Sequence, residues 1–263
     1  ILLVCAGGMS TSILMKKMEA YWKENGEELE IKAVGLAEYQ DICSGYDIVM
    51  VGPQVSYRLN EIKENPNFLK SYTPIPLIDK KPILKLMTKA GEIANTGPMA
   101  AVAGSISEMC LDYLESFKSK FSIVENGGDI ALKTNKKINM GIYAGKTSFS
   151  YNYGFKIKPK PYKYGICTSS YDGPSKSFGS TDATIVFSKQ SSIADSLATS
   201  IGNYGNGNTE NEVVHNALSY AEKYSDYYEG VLVIKGETLG KTGHIPQLIS
   251  INNTHVKEAF EIE

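Results

Sequence analysis

The spacing of apolar residues near the N-terminus predicts a strand, a short loop and a helix, in that order. Ile1 to Val4 form a continuous apolar run, which is typical of a buried strand. The next eight residues are small or polar. Residues 13–25 then place apolar side chains at helical spacing, and Gly26 is suited to end that helix. The apolar positions of this helix are Leu14, Met18, Tyr21 and Trp22.

The same pattern predicts further strands before residue 80. Residues 29–34 alternate between apolar and polar side chains, and residues 46–51 form an apolar run. Residues 72–78 are predicted to form a fourth strand. Pro74 and Pro76 cannot donate to a ladder, so this strand has to lie at an edge of its sheet.

The pattern from residue 82 onward predicts a mixture of helices and antiparallel strands. Asn126-Gly127-Gly128-Asp129 has the composition of a two-residue hairpin turn between a strand ending at Glu125 and a second strand. Helices are predicted over residues 82–94, 98–117, 191–201 and 211–224, and strands over residues 121–125, 138–143, 155–157, 165–168, 231–234 and 248–251.

Composition narrows the class of protein. The chain has 263 residues, 42% hydrophobic and 21% charged, which indicates a globular protein of one large or two ordinary domains. A net charge of −2 gives no electrostatic reason to expect a nucleic-acid partner. No apolar run approaches the roughly 20 residues of a spanning helix. Four cysteines without CxxC spacing favour free thiols and a cytoplasmic location. The sequence does not determine whether the chain forms a homo-oligomer.

The loop after the first strand carries the first candidate chemistry. A helix N-terminus preceded by glycines offers backbone amides to an anion, and its field favours a thiolate at Cys5. The alternative is a buried cysteine followed by a glycine turn. No arginine lies between Cys5 and Tyr57 to clamp a transferring phosphoryl group, which favours a phosphate carrier over a phosphatase. The predicted cradle consists of Ala6, Gly7, Gly8, Met9, Ser10, Thr11 and Ser12.

Two motifs in this region resemble enzyme IIB of the lactose/cellobiose class of the sugar phosphotransferase system. The first is Cys5-Ala6-Gly7-Gly8-Met9-Ser10-Thr11-Ser12, and the second is Val51-Gly52-Pro53-Gln54-Val55-Ser56-Tyr57. The resemblance implies a small doubly wound parallel sheet. It also implies that Cys5 accepts phosphate from a histidine of enzyme IIA and passes it to a sugar bound by the membrane protein IIC. We assign this module to residues 1–79, with its boundary between 64 and 80.

Small and hydroxyl-bearing residues mark a second candidate site in the larger module, residues 80–263. The glycine- and alanine-rich start of the helix over residues 98–117 favours either close packing against a sheet or a flat ligand lying on the helix. Ser169 and Ser170 begin a hydroxyl-rich stretch that can wrap a phosphate. Asp195 and Thr199 lie one turn apart on one helix face and can bind Mg²⁺ or Ca²⁺; a solvated or capping pair is the alternative.

These segments resemble an uncharacterised branch of the ApbE-like superfamily over residues 65–251. The motifs are Gly97 to Gly104, Glu125 to Ile130, Cys167 to Asp182, and Ala194-Asp195-Ser196-Leu197-Ala198-Thr199. Characterised members bind FAD and transfer FMN to a threonine of a partner protein, using Mg²⁺. The resemblance implies that Asp195 and Thr199 bind the metal and that Asn126, Gly127, Gly128 and Asp129 form part of a flavin pocket. Ser177-Phe178-Gly179-Ser180 replaces the superfamily's His-Ile-Ile-Asp-Pro segment, so the implied property is flavin or nucleotide binding.

The sequence therefore predicts an α/β chain that joins a small doubly wound parallel-sheet module to a larger α+β module. The first functional hypothesis is phosphoryl transfer through Cys5, with IIA and IIC as partners. The alternative is a Mg²⁺-dependent protein or enzyme that binds FAD, FMN or another nucleotide. A third possibility is that the larger module only scaffolds or oligomerises.

Overall fold

A computed structural model describes residues 2–5, 32–35, 49–51, 68, 70–77, 81–172 and 177–251. The chain divides into two compact units, Ile1–Pro66 and Asn67–Glu263. The predicted phosphate cradle, Ala6 to Ser12, lies outside the described residues, as do the predicted helix over residues 13–25 and the segment after Ile251.

The first unit contains a three-stranded parallel sheet. Strands β1 (Leu2–Cys5), β2 (Lys32–Gly35) and β3 (Val49–Val51) are arranged in the order β2-β1-β3. Leu2 pairs with Lys32 on one side and with Val49 on the other. These strands overlap the segments predicted as strands, and they pair in parallel; residues 29–31 and 46–48 of the predicted strands lie outside the described residues. Cys5 is the last residue of the central strand.

The second unit contains two antiparallel sheets. Six strands form the larger sheet: β4 (Ser122–Asn126), β5 (Asp129–Lys133), β8 (Tyr164–Ser169), β9 (Ala183–Ser188), β10 (Gly230–Lys235) and β11 (Thr238–Gly243). Their order is β11-β10-β9-β8-β5-β4. The smaller sheet has the order β12-β7-β6 and consists of β6 (Ile138–Gly141), β7 (Tyr153–Ile157) and β12 (Gln247–Ser250).

Four α-helices accompany these sheets within the described part of the second unit. They are α1 (Pro82–Ala94), α2 (Val102–Ser116), α3 (Ser191–Tyr204) and α4 (Glu210–Ala221). A 3₁₀ turn, Pro98–Ala101, leads into α2, and another, Glu222–Tyr224, follows α4. Thr209 and Glu212 form a capping box at the start of α4. None of the helices described is long and apolar enough to cross a membrane.

Successive side chains along the strands of the larger sheet point to opposite faces and pack into two separate hydrophobic cores. Cys167, Val186 and Val231 pack with the helices on one face. Ile185 and Phe187 pack on the opposite face with residues of the smaller sheet. Because side chains alternate across a strand, one sheet supplies both cores. The second unit is therefore a layered α+β structure, as predicted.

Three differences separate the predictions from the structure. Strands β9 and β11 were not predicted. All six residues of β9 are buried inside the larger sheet, so it lacks the apolar-polar alternation of a half-exposed strand. β11, at the edge, contains two glycines and only one large apolar residue, Leu239. The predicted edge strand over residues 72–78 is wrong, because residues 71–77 form bends and irregular backbone. Pro74 and Pro76 remove two donors from this short segment.

Candidate functional site

A tight hairpin forms the centre of the candidate site. Gly127 and Gly128 connect β4 to β5 with φ angles of +64° and +100°, and the flanking residues Asn126 and Asp129 pair with each other. Two successive positive φ angles are typical of a type I′ turn, which glycine adopts without strain. The Glu125 carboxylate accepts a hydrogen bond from the Gly128 amide at 2.9 Å. The predicted Asn-Gly-Gly-Asp hairpin is confirmed.

This hairpin presents its residues to two different faces of the larger sheet. Gly127 and Gly128 line a pocket together with Ser170, on the side of the smaller sheet. Asn126 and Asp129 are buried on the helix-covered side. Ser169 is also buried, and alternation with Ser170 directs it to the helix side. The six predicted cofactor-binding residues therefore belong to two adjacent regions.

The pocket lies between the two sheets, with a volume of about 210 Å³. Its walls are largely apolar, and Thr168 and Ser170 contribute hydroxyl groups. Sites that enclose a drug-sized ligand measure roughly 300–1,000 Å³, so this pocket fits one part of a dinucleotide. The apolar wall consists of Ile130, Met140, Ile142, Tyr143, Phe155, Ile166 and Ile185. A wider surface cleft of about 560 Å³ elsewhere contains none of the predicted site residues.

Helices α2 and α3 approach each other closely beside the hairpin. A Cβ atom on Gly104 would lie 2.3 Å from the Ser191 carbonyl oxygen, which is far inside contact distance. Of the two interpretations of the small-residue helix, the structure supports close packing, against α3 as well as against β4 and β5. The absence of a side chain at residue 104 therefore allows the helices to touch.

Two buried carboxylates hold this helix pair together. The Gly104 amide, in the first turn of α2, donates to Asp195 Oδ2 of α3 at 2.7 Å. In the opposite direction, Ser192 donates to Glu108 Oε2 from its amide at 3.0 Å and from its hydroxyl at 2.7 Å. Each helix thus supplies an acceptor to the N-terminal turn of the other, where backbone amides lack helical partners.

The Asp195 carboxylate is buried, and its pKa is raised by that burial. Desolvation raises the pKa of Asp195 from 3.8 to about 7, although hydrogen bonds from the Gly104 and Ala103 amides act to lower it. No lysine, arginine or histidine among the described residues forms an ion pair with it. A buried carboxylate without a counter-ion is costly, so Asp195 is suited to binding a cation.

Asp129 lies near Asp195 on the same side of the sheet. Strand pairing of Ile130 with Ile166 brings Asp129 opposite Cys167. Burial raises the pKa of Asp129 well above its usual value, and the negative charge of Asp195 raises it further. The Ser107 hydroxyl donates to the Asp129 carbonyl oxygen at 2.8 Å, which anchors the hairpin to α2.

Two buried oxygens of the hairpin lack hydrogen-bond partners among the described residues. They are Oδ1 of Asn126 and Oδ1 of Asp129. Each unpaired buried polar atom costs about 1–3 kcal/mol relative to a satisfied one. These two oxygens and the Asp195 carboxylate oxygens are hard donors, the type of ligand that Mg²⁺, Mn²⁺ and Ca²⁺ prefer.

Thr199 follows Asp195 by four residues on α3, as the sequence predicts. The residue is half-buried, and its hydroxyl has no hydrogen bond to another described residue. Within the described residues no three His, Cys, Asp or Glu side chains form a metal-binding group. A cation at Asp195 would therefore also need hydroxyl, amide or ligand oxygens.

Sequence reasoning missed two parts of this site. The role of Glu108 as an acceptor for Ser192 depends on how two distant helices pack. The apolar pocket wall contributed by Met140, Tyr143 and Phe155 depends on the second sheet folding over the first. Neither arrangement leaves a local signal in the sequence.

The layered α+β fold, with a glycine hairpin beside a buried carboxylate pair, defines the structural class of the second unit. The family model described as "AbpE bacteria" matches residues 54–252. The chain belongs to this family. A second model, "PTS system, Lactose/Cellobiose specific IIB subunit", matches residues 1–93. Both resemblances noted from the motifs are thereby confirmed at the level of family models. The two matches overlap over residues 54–93, and the module boundary at residue 79 stays a prediction.

Relatives of similar sequence are described as UPF0280 proteins. The Methanococcus aeolicus protein is 48% identical over 205 residues, covering 76% of this chain and 82% of that protein. The Methanothermobacter thermautotrophicus protein is 44% identical, covering 73% of this chain and 75% of its own length. The apo flavinyl transferase ApbE of Pseudomonas stutzeri aligns with a TM-score of 0.39 and 16% identity, covering 64% of this chain and 52% of that one. This chain thus spans about half of that solved chain.

Proposed function

We propose that the second unit binds a flavin or a related nucleotide together with a divalent cation. The observation that carries this proposal is the Asp195 carboxylate, which is buried without a counter-ion among the described residues, near Asp129 of the hairpin whose glycines line an apolar pocket. The ApbE-like motifs and the match to the AbpE bacteria family support the same class of ligand.

Different residues would bind the cation and the nucleotide. Asp195 and Thr199 would hold the cation, and Gly127, Gly128 and Ser170 would contact the ligand in the pocket. When bound, the cation supplies positive charge that neutralises phosphate oxygens. The apolar walls exclude water from the part of the ligand that they enclose, and the Thr168 and Ser170 hydroxyls can orient its polar edge.

We expect FAD and Mg²⁺ together to raise the melting temperature of the full chain more than either does alone. At a ligand concentration about 100 times Kd the free energy of unfolding rises by about 2.7 kcal/mol, which corresponds to a shift of several degrees. FMN and ADP, tested separately with Mg²⁺ and with EDTA, show which half of FAD is recognised. Thr209→Ala, which removes the cap of α4 and costs about 1 kcal/mol, is the control and should keep the Mg²⁺-dependent shift. The proposal fails if no nucleotide gives such a shift.

A second function is favoured by the position of Cys5. It ends the central strand of a parallel sheet with the order β2-β1-β3, and ligands of such sheets gather at the carboxyl ends of the strands. We propose that its thiolate accepts a phosphoryl group from a IIA histidine, forming an S–P bond as the N–P bond breaks. The group then passes to a sugar hydroxyl at IIC. The match to the IIB model supports this proposal, which requires Cys5 to be in the cytoplasm.

We expect the full chain to gain one phosphoryl group when it is incubated with phosphoenolpyruvate, the general phosphotransferase proteins and a IIA protein. Cys5→Ser should gain none, because serine is a far weaker nucleophile at neutral pH. Cys110→Ser is the matched control, since Cys110 is a free thiol of the second unit, and it should be labelled like the parent. Intact-mass measurement distinguishes these outcomes. Labelling of Cys5→Ser would contradict the assignment.

A further inference from the structure

Two unpaired oxygens lie on the hairpin that faces Asp195. Asn126 and Asp129 are 7% and 1% exposed, and Oδ1 of each has no hydrogen-bond partner among the described residues. Both flank the Gly127–Gly128 turn, one on each strand. Since buried polar atoms are nearly always satisfied, two such oxygens on one short hairpin indicate a missing partner.

The contacts around these oxygens converge on one helix turn. Asn126 Nδ2 donates to the Ala103 carbonyl oxygen at 3.5 Å, and the next residue, Gly104, donates to Asp195 Oδ2 at 2.7 Å. The Asp129 carboxyl group is hydrogen-bonded with the Cys167 thiol and the Thr168 amide, and it interacts electrostatically with Asp195, while its Oδ1 atom keeps no partner among the described residues. Asn126 of β4 and Asp195 of α3 therefore both contact the first turn of α2, and Asp129 of β5 lies near Asp195.

A water molecule would satisfy only the two oxygens, whereas a divalent cation would also offset the charge of the Asp129 and Asp195 carboxylates once they ionise. The other titratable groups around the site do not supply a positive charge. Glu125, on the same hairpin, adds a carboxylate, and the buried Cys167 thiol contacts Ser191 Oγ at 3.3 Å. The Cys167 thiol is also hydrogen-bonded with the Asp129 carboxyl group. A divalent cation satisfies both the oxygens and the charge.

We propose that Oδ1 of Asn126 and Oδ1 of Asp129 are ligands of the divalent cation that Asp195 binds. This inference rests on the proposed function, because it concerns the same cation. The donor set consists of carboxylate and amide oxygens, which suit Mg²⁺ or Mn²⁺ rather than a thiol-preferring metal. The hairpin then binds the cation through Asn126 and Asp129 on one face of the sheet, and its glycines form part of the pocket wall on the other face.

This double role links cation binding to ligand binding. Gly127 and Gly128 line the pocket, while the residues on either side of them hold the cation. A cation that fixes the hairpin also fixes the pocket wall. By thermodynamic reciprocity, a ligand in the pocket then tightens cation binding by the same factor.

Calorimetric titration of the full chain with Mn²⁺, without any nucleotide, tests the assignment. We expect Asp129→Asn to weaken Mn²⁺ binding by at least about tenfold, as ligand-sphere changes typically do. Asn126→Asp, which replaces an amide ligand by a carboxylate, should tighten binding by about tenfold, because ligand charge sets affinity at such sites. Glu115→Gln removes a carboxylate at the opposite end of α2, where it is ion-paired with Lys133, and should bind Mn²⁺ within about twofold of the parent.

The outcomes separate this inference from the proposed function. If the parent does not bind Mn²⁺, the proposed cation dependence is wrong. If the parent binds and Asp195→Asn does not, but Asp129→Asn and Asn126→Asp bind like the parent, the proposed function stands and the additional ligands are wrong. Misfolding cannot imitate the expected gain of affinity in Asn126→Asp. Circular dichroism of each variant in EDTA confirms that the compared chains are folded.

Discussion

Asp195→Asn is expected to raise the free energy of unfolding of the cation-free protein at pH 8, by an amount on the order of 4 kcal/mol. The cause is the pKa of Asp195, which burial raises from 3.8 to about 7. Each pKa unit corresponds to about 1.4 kcal/mol of preference for the neutral form in the folded state. Asparagine keeps an oxygen that can accept the hydrogen bond from the Gly104 amide but carries no charge.

The pH dependence follows from the sign of this shift. The pKa of Asp195 is higher in the folded than in the unfolded chain, so the folded state binds more protons between about pH 4 and pH 7. The stabilisation by protonated Asp195 is complete below about pH 4 and is lost as the pH rises through 7. The advantage of Asp195→Asn over the parent should therefore be large at pH 8 and small at pH 4.

Urea denaturation in EDTA at pH 4, 6 and 8 measures this difference, and subtracting the variant from the parent removes contributions from other groups. Asp195→Ala is the informative control, because it loses the acceptor as well as the charge and should gain less stability than Asp195→Asn. Mg²⁺ should stabilise the parent at pH 8 and leave Asp195→Asn unchanged. An asparagine variant that is less stable than the parent at every pH would contradict the account of an uncompensated charge.

Gly104→Ala is expected to lower the free energy of unfolding by about 2–3 kcal/mol. The new methyl group would lie 2.3 Å from the Ser191 carbonyl oxygen and 2.6 Å from Asp195 Cβ. The Ser191 atom belongs to the backbone, so a change of rotamer cannot relieve the clash. The first turn of α2 has to move away from α3, and the hydrogen bond from Gly104 to Asp195 lengthens with it.

The same substitution should also weaken cation binding, because it displaces the turn that Asp195 faces. Gly141→Ala is the matched control for stability. A Cβ atom there has no neighbour closer than 4.0 Å, and substitutions in strands span only about 1 kcal/mol, so we expect a change smaller than that. Equal effects of the two substitutions in chemical denaturation would show that α2 and α3 are not closely packed.

Local chemistry was sufficient to predict the parts of the site that depend on neighbouring residues. Two glycines between Asn126 and Asp129 predicted the hairpin, because a type I′ turn needs two positive φ angles. The apolar spacing over residues 82–94 predicted α1 with the bounds that the structure shows. The four-residue spacing of Asp195 and Thr199 put them on one face of α3.

The remaining parts depend on contacts between distant segments. Asp129 faces Cys167 because of the register between β5 and β8, which the sequence does not encode locally. The close packing at Gly104 was expected against a sheet, and its partner α3 follows about 90 residues later. The split of Ser169 and Ser170 between two faces follows from the bounds of β8, which reach beyond the predicted strand.

The second unit is expected to bind a flavin nucleotide in a cation-dependent manner through Asp195. Equilibrium titration of FAD fluorescence with the full chain, in Mg²⁺ and in EDTA, measures this binding. We expect saturable binding in Mg²⁺ that weakens by at least about tenfold in EDTA and in Asp195→Asn, since losing a cation contact to phosphate removes a charge-assisted interaction. Equal FAD affinity in Mg²⁺, in EDTA and in Asp195→Asn, or no binding under any of these conditions, would contradict this expectation.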